Sequence, residues 1–480
     1  MLTRRHFLSS AASLPCASTL LNLKLANVAA AQGIDPLTDD RKTLVCVFLH
    51  GGIDSFNMLV PNDERHAEYA ASRTDLALAK DSLLALQQRG GGDGGLYGVH
   101  PSAAGYQRLF NGIDGDENKR RLAWVANIGT LVEPTDRPAY RAKEVKLPRS
   151  LFSHSDQIEQ WQTSVPQGLT RLSGWAGRLA DVLHSQVNQS QTSMSLSFAG
   201  NNTLQRGNAT SQFVMTSRGS LRFSTASSRA KHPTQLKNVA VRSLMQQHYS
   251  SMMEQAFADF TDQSIDEQEF IQGKFEELGA SNLDTPLPNT RIGRDLGAAL
   301  RMIQLRPELG LRRQTIFIGF GGWDMHGSLL EPQAEKLAQL VPALEAFQLG
   351  LEQLGLADSV MTFTGSDFAR TLVSNGRGSD HAWGGNQIVM GAGVDGGKIA
   401  GTFPSLALGD MNPRDVGRGG RLIPTTSVDQ FFAELLLWFG LRTEDQFKAV
   451  LPNISNFLNV RGINPADPTT YPLGFLKSLA

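Results

Sequence analysis

This sequence of 480 residues has few cysteines, almost no net charge and no long apolar runs. It holds 2 cysteines, Cys16 and Cys46, so we expect stability to come from an apolar core and not from disulfides. The 45 basic and 46 acidic side chains nearly cancel, which argues against a nucleic-acid-binding or membrane-surface protein, because both need a basic excess. No segment reaches about 18 uninterrupted apolar residues, so we expect no membrane span in the mature chain. Hydrophobic residues make up 41%, enough for a large folded core.

The first 31 residues are typical of an export signal. Arg4 and Arg5 give a basic start, residues 7–23 are mildly apolar, and Ala29-Ala30-Ala31 predicts cleavage after Ala31. The run TRRHFL at residues 3–8 resembles a twin-arginine signal, which implies the twin-arginine export machinery as a partner. A lipid anchor on Cys16 is less favoured because a proline precedes it. We therefore expect a bacterial protein that is periplasmic or secreted, with Cys46 as its one cysteine.

Apolar runs that alternate with helical patterns predict an α/β fold with a doubly wound, mainly parallel sheet. Residues 193–228 alternate apolar and polar side chains, which predicts a β-rich, hairpin-like insertion, and residues 234–280 predict a long amphipathic helix. We expect residues 32–480 to form a single domain with an insertion at about 190–285. Strands are predicted at 43–49, 122–128, 315–320 and 359–364, with a possible fifth at 387–390; helices are predicted at 65–88, 153–163, 174–186, 291–304, 331–354 and 430–439.

Acidic and imidazole side chains follow most of the predicted strands. In open α/β sheets, ligands bind outside the carboxyl ends of the strands, so we expect these side chains to lie near one another. Carboxylate oxygens mixed with imidazoles suit Zn²⁺ or Mn²⁺ better than Ca²⁺, which prefers oxygen alone. Each residue alone is more often a helix cap or a surface group, and the metal-site hypothesis depends on their convergence. The residues concerned are Asp54, Asp324, His326, Asp367, Asp380 and His381.

A second group of polar residues stands where a helix is predicted to begin. Ser153, His154, Ser155 and Asp156 precede an amphipathic segment, and free N–H groups at a helix start stabilise an anion such as phosphate or sulfate. The plainer alternative is an ordinary helix cap made by Ser153 or Ser155. A serine beside a metal needs no histidine as base, because coordination lowers the pKa of its hydroxyl.

An ordered set of motifs resembles the exported bacterial family called domain of unknown function 1501, over about residues 42–440. That family in turn resembles the alkaline phosphatase and sulfatase superfamily. The resemblance implies a doubly wound, alkaline phosphatase-like α/β domain with two metal sites that hydrolyses phosphate or sulfate esters. The motifs are HGGIDSFN (50–57), YGVHP (97–101), SHSDQ (153–157), GW (174–175), WDMHG (323–327), SDFAR (366–370) and SDH (379–381).

The resemblance also implies roles for individual residues. Asp54 and Asp367 match acids that would hold one divalent ion together with the nucleophile. Asp324, His326 and His381 match the ligands of the other ion, although the spacing from Asp324 to His326 is shorter than in typical phosphatases.

This sequence departs from the superfamily pattern at two of these motifs. Ile53 replaces an asparagine before the first acid, and Phe368 replaces a histidine, so we expect the first ion to lack one ligand. Ser153 is the first choice for the nucleophile and Ser155 the second, while His154 is either part of that site or a metal ligand.

The resulting function hypothesis is an exported, metal-dependent hydrolase of phosphate or sulfate esters of small molecules or glycans. Arg370, three residues after Asp367, is the candidate that would clamp the oxyanion, or else an exposed solubilising arginine. Two alternatives stay open. One is a non-catalytic, exported binding or assembly protein on the same phosphatase-like scaffold. The other is a carbohydrate-binding protein that stacks sugars on Trp161, Trp175 and Trp323, although tryptophans are more often part of the core.

Overall fold

The computed structural model describes residues 40–90, 94–168, 173–188, 192–220, 232–417 and 419–479. The predicted signal peptide lies outside this part of the chain, so its cleavage and export stay predictions. The helices within the described residues are α1 (His66–Arg73), α2 (Ala104–Asn111), α3 (Arg137–Ala142), α4 (His154–Thr163), α5 (Trp175–Val187), α6 (His232–Met245), α7 (Met252–Leu278), α8 (Arg291–Gln304), α9 (Leu330–Gln353), α10 (Val428–Phe439) and α11 (Glu444–Val450).

A ten-stranded mixed sheet forms the centre of the α/β fold. In sheet order the strands are β12 (Ile399–Ala400), β5 (Leu122–Gly129), β11 (Gly385–Gly391), β10 (Val360–Ser366), β1 (Lys42–Leu49), β9 (Arg313–Gly319), β6 (Ser195–Ser197), β7 (Phe213–Thr216) and β8 (Gly219–Ser220), with β13 (Thr426–Ser427) also on β5. One direction is shared by β1, β5, β6, β7, β9 and β10, and β11 runs against its neighbours β10 and β5.

The central strands are buried because helices cover them. Strand β1 is buried from Thr43 to Leu49, and β5 and β10 are buried throughout. Helix α10 is apolar along almost its whole length, and Phe432 on it stacks on Trp175 of α5, with ring centroids 4.6 Å apart. This two-sided burial accounts for the continuous apolar runs that predict the strands.

Several predicted elements differ from the structure. The helix predicted over 65–88 ends at Arg73, because Thr74 takes a positive φ of 51°. Strand β6 lies inside the main sheet beside β9, so the predicted insertion contributes to the core sheet, and among the described residues of this segment β7 and β8 form a hairpin. The long helix predicted over 234–280 is two helices, α6 and α7.

A small antiparallel sheet, absent from the sequence predictions, lies beside the main one: β2 (Leu59–Pro61), β4 (Tyr97–Val99) and β3 (Leu84–Ala85). None of the described helices combines the length and the hydropathy needed to cross a bilayer.

Candidate metal centre

The loops after β1 and β9 meet at the carboxyl edge of the sheet. Gly51 and Gly52 follow β1 with φ of +119° and +74°, a conformation that favours glycine. A Cβ on Gly51 would lie 2.6 Å from the Asp324 nitrogen, and one on Gly52 would lie 2.3 Å from the Phe368 ring. The absence of side chains at these two positions therefore lets the loops carrying Asp324 and Phe368 pack directly on the β1 loop.

Three imidazoles and one carboxylate converge at this edge. His154 is the first residue of α4, Asp324 and His326 follow β9, and His381 precedes β11. One ligand atom from each of the four lies within 4.8 Å of all the others. The Asp324 Oδ1 atom is 3.0 Å from His326 Nε2, 3.5 Å from His154 Nε2 and 3.7 Å from His381 Nε2. We call these four residues the cluster.

Each imidazole of the cluster is held through its Nδ1 atom by an oxygen that can only accept a hydrogen bond. Nδ1 must therefore donate, which puts the lone pair of each neutral ring on Nε2, and in His326 this lone pair faces Arg370 Nη1 at 3.2 Å. This arrangement orients metal-binding histidines in proteins. The acceptors are Asp367 Oδ2 for His154 at 2.7 Å, Asp380 Oδ1 for His326 at 3.3 Å and the Phe152 carbonyl for His381 at 2.7 Å.

The cluster fits a cation on chemical grounds. His326 Nε2 and His381 Nε2 are 2.8 Å apart, and two lone pairs at that distance repel unless a proton or a metal ion lies between them. His154 Nε2 is buried and has no hydrogen-bond partner among the described residues. Three imidazole nitrogens and one carboxylate oxygen are a ligand set that suits Zn²⁺.

The surroundings shift the pKa values of His154, His381 and Asp324. The hydrogen bond to Asp367 raises the pKa of His154, while desolvation lowers the pKa of His381. Partial burial alone would raise the pKa of Asp324, but the hydrogen bond and the charge of Arg370 outweigh it and lower that pKa. Asp324 is therefore ionised, as a ligand must be.

Arg370 is fully buried beside the cluster, and all its donors are used by the protein. Its Nη2 atom is 2.6 Å from Asp324 Oδ1, and its Nη1 atom is 3.2 Å from His326 Nε2. The predicted exposed, solubilising arginine is therefore wrong. The predicted oxyanion clamp stays a prediction, and it would require the guanidinium to exchange partners. The remaining acceptors are the carbonyls of Gly51, Gly52, Trp323 and Ser379.

Asp54 is not one of the four cluster residues. Its carboxylate forms a buried ion pair with Arg73, whose Nη1 atom also donates to the carbonyls of Thr371 and Leu372 at 3.0 and 3.2 Å. Asp54 Oδ1 has no hydrogen-bond partner among the described residues. No sequence pattern indicated this partner, because Arg73 lies on α1, far from any predicted motif.

Asp367 contacts the cluster through His154, and its two oxygens also accept from the Gly51 nitrogen at 3.2 Å. The structure thus brings Asp367 to the centre as the carboxylate that holds His154. A direct bond from Asp367 to an ion stays a prediction.

The candidate nucleophiles directly precede and follow His154. Ser153 Oγ donates to Asp156 Oδ2 at 2.7 Å and lies 3.2 Å from Ser155 Oγ. Arg149 contacts the other oxygen of Asp156 at 3.0 Å. Ser153 occupies the N-cap position of α4 but makes no side-chain cap bond, so the predicted cap bond from Ser153 is absent, and the anion site stays a prediction.

The three tryptophans of the carbohydrate hypothesis are buried: Trp161, Trp175 and Trp323 are 3%, 1% and 1% exposed. They pack in the interior and offer no ring face at the surface for stacking a sugar.

The sequence model of one family, described as protein of unknown function (DUF1501), matches residues 117–449. That range is 333 of the 480 residues. The chain belongs to this family. The predicted membership is thereby confirmed, although the match begins at residue 117 and does not cover the motifs at 50–57 and 97–101.

Solved structures add little to the DUF1501 assignment. The lipoteichoic acid synthase LtaP from Listeria monocytogenes is 9% identical, with a TM-score of 0.32, over 89% of this chain and 81% of that one. The protein Ps i-CgsB is 10% identical, with a TM-score of 0.34, over 87% of this chain and 78% of that one. These TM-scores are too low to carry an argument about the fold or the activity. No curated protein matches the sequence.

Proposed function

We propose that this DUF1501 protein is an exported, metal-dependent hydrolase of phosphate or sulfate esters. The observation that carries the proposal is the convergence of three Nε2 atoms on Asp324 Oδ1, with every Nδ1 already used as a donor. Such an arrangement is costly without a metal ion, because the Arg370 guanidinium balances Asp324 but leaves the Nε2 lone pair of His154 without a donor among the described residues, in a partly buried place. The ester class rests on the resemblance of the motifs to the phosphatase and sulfatase superfamily.

His154, Asp324, His326 and His381 would hold the ion, and the three imidazoles favour Zn²⁺ over Mn²⁺ and both over Ca²⁺. A bound divalent ion supplies a Lewis acid that polarises an ester oxygen. Asp367 keeps the lone pair of His154 Nε2 directed at the centre by accepting the Nδ1 proton.

Ser153 is the proposed nucleophile, with Ser155 as the second choice. Because Asp156 Oδ2 accepts the Ser153 hydroxyl at 2.7 Å, Asp156 is placed to take that proton as a general base. Ser153 directly precedes the proposed ligand His154, so one helix start carries both groups.

The test is hydrolysis of p-nitrophenyl phosphate and p-nitrophenyl sulfate by the purified chain with Zn²⁺, Mn²⁺ or Ca²⁺ added after chelation. We expect turnover that depends on Zn²⁺ or Mn²⁺, is lost in His381→Gln and is kept in His248→Gln, a matched change at an exposed histidine. Ser153→Ala should lower kcat far more than Ser155→Ala. Bound metal without turnover of either ester would contradict the hydrolase.

A non-catalytic binding or assembly protein is the second candidate. This candidate is favoured because groups of the protein accept all the hydrogen bonds that Arg370 can donate, so Arg370 has no donor left for an oxyanion. In that case Asp324→Asn should remove metal while leaving the biological function intact.

Export by the twin-arginine pathway is part of the proposal. Replacing Arg4 and Arg5 together by lysine should retain the unprocessed chain in the cytoplasm, whereas the unchanged chain should be found processed in the periplasm or medium. Processing that survives this double change would contradict the twin-arginine route.

A further inference from the structure

We propose that the centre takes one divalent ion, in contrast to the two that the superfamily resemblance implies, and that Arg370 and Arg73 supply the remaining positive charge. This inference rests on the metal site of the proposed function. It concerns how many ions the residues of this chain can hold, and therefore does not depend on whether an ester is hydrolysed.

The acids expected to hold the second ion already have partners. Asp54 is 2% exposed and its charge is balanced by Arg73, which is itself fully buried. Asp367 is 1% exposed and accepts hydrogen bonds from His154 and from the Gly51 nitrogen. An ion bound by both acids would have to take the place of the Arg73 guanidinium at Asp54 Oδ2, or bind Asp54 Oδ1 directly beside that buried positive charge, and both are unfavourable in the interior.

A hydrocarbon ring occupies one side of the cluster. The Phe368 ring centroid is 4.7 Å from that of His154 and 4.5 Å from that of His381. A Cβ on Gly52 would lie only 2.3 Å from the Phe368 ring, so the ring is packed tightly against the β1 loop. This ring provides no ligand atom and fills the space beside two of the imidazoles.

The charges that touch the cluster balance with one ion. Within the described residues, the charged side chains in hydrogen-bonding contact with the cluster, apart from Asp324 itself, are Asp367, Asp380 and Arg370. With neutral imidazoles their sum is −3 + 1 = −2, which one divalent cation cancels. A second divalent ion would leave an excess of +2 in a partly buried place, where charge repulsion is weakly screened. The Asp54 and Arg73 pair is neutral by itself and does not change this balance.

The experiment is metal stoichiometry. The purified chain is stripped with a chelator, loaded with excess Zn²⁺, desalted and measured by inductively coupled plasma mass spectrometry. We expect one zinc per chain, almost none in Asp324→Asn or His381→Gln, and one in the His248→Gln control. The double variant Asp54→Asn/Arg73→Met removes the predicted second acid without leaving a lone buried charge, and it should still bind one zinc.

Two zinc ions per chain, or loss of an ion in the double variant, would overturn the inference. Anomalous diffraction from a zinc-loaded crystal checks this independently of any variant, and we expect one peak bounded by the three Nε2 atoms and Asp324. No bound zinc would overturn both this inference and the proposed function. One zinc without ester turnover would support the inference and contradict only the hydrolase.

Discussion

Asp367→Asn gives a quantitative test of how the centre is held together. Asp367 Oδ2 accepts the Nδ1 proton of His154 at 2.7 Å, and the side chain is 1% exposed. Asparagine keeps the volume but loses the charge, and it offers one acceptor oxygen where Asp367 presents two to the Gly51 nitrogen. Loss of such a supporting partner typically lowers metal affinity by about 10- to 100-fold. We expect the upper part of this range, about 2 to 3 kcal/mol, because the hydrogen bond is short, charged and buried.

Asp380→Asn is the matched control for this prediction. It removes the same charge from the carboxylate that holds His326, but the distance is 3.3 Å and the side chain is 53% exposed. Water can replace that contact, so we expect a loss of less than about 10-fold. Zinc affinity is measured by competition with a chromophoric chelator.

Two outcomes would refute the reasoning behind this pair of variants. An effect of Asp367→Asn no larger than that of Asp380→Asn would show that the buried hydrogen bond does not orient His154. Loss of all zinc from Asp367→Asn at saturating metal would make Asp367 a direct ligand.

Three further variants test other parts of the structure. Asp54→Asn leaves Arg73 buried and unpaired, so urea unfolding should show a loss of about 3 to 5 kcal/mol with zinc affinity unchanged; a large loss of affinity would contradict the assignment. Burial raises the pKa of Asp429 to about 7, so its charging costs stability as pH rises from about 4 through 7. Asp429→Asn should therefore raise the Tm at pH 8 but not at pH 4, while exposed Asp114→Asn changes neither. The Glu434 carboxylate accepts hydrogen bonds from the four backbone N–H groups of residues 473–476. Glu434→Gln should therefore lower the free energy of unfolding in urea by about 2 kcal/mol. An unchanged free energy would show that this C-terminal segment contributes nothing to stability.

Much of the fold could be predicted because buried parallel strands have a distinctive composition. The run TLVCVFL is apolar and its side chains are buried on both faces of β1, and it predicts this strand to within one residue. Helices α4, α5, α8, α9 and α10 were also predicted within two residues of their bounds. The short strands β12 and β13 were missed, because two residues carry no periodic pattern.

The candidate site was predicted in part, for a reason that concerns chain topology. Asp324, His326 and His381 follow or precede strands whose ends share one edge, and so their convergence could be expected from the sequence. His154 lies at a helix start, where the same residue type also suits an anion site or a cap, and the alternatives could not be separated without coordinates.

By itself, the sequence determined the family, the α/β class and three of the four cluster residues, because motif order and apolar periodicity are local properties of the chain. Only the tertiary structure decided that Asp54 pairs with Arg73, that Asp367 holds His154, and that Arg370 is turned inward onto Asp324. Those partners are separated by 19, 213 and 46 residues, and no local pattern records which buried charge will meet which. Pairing in the interior is fixed by how the loops pack, since each buried charge must find a partner wherever the fold places one.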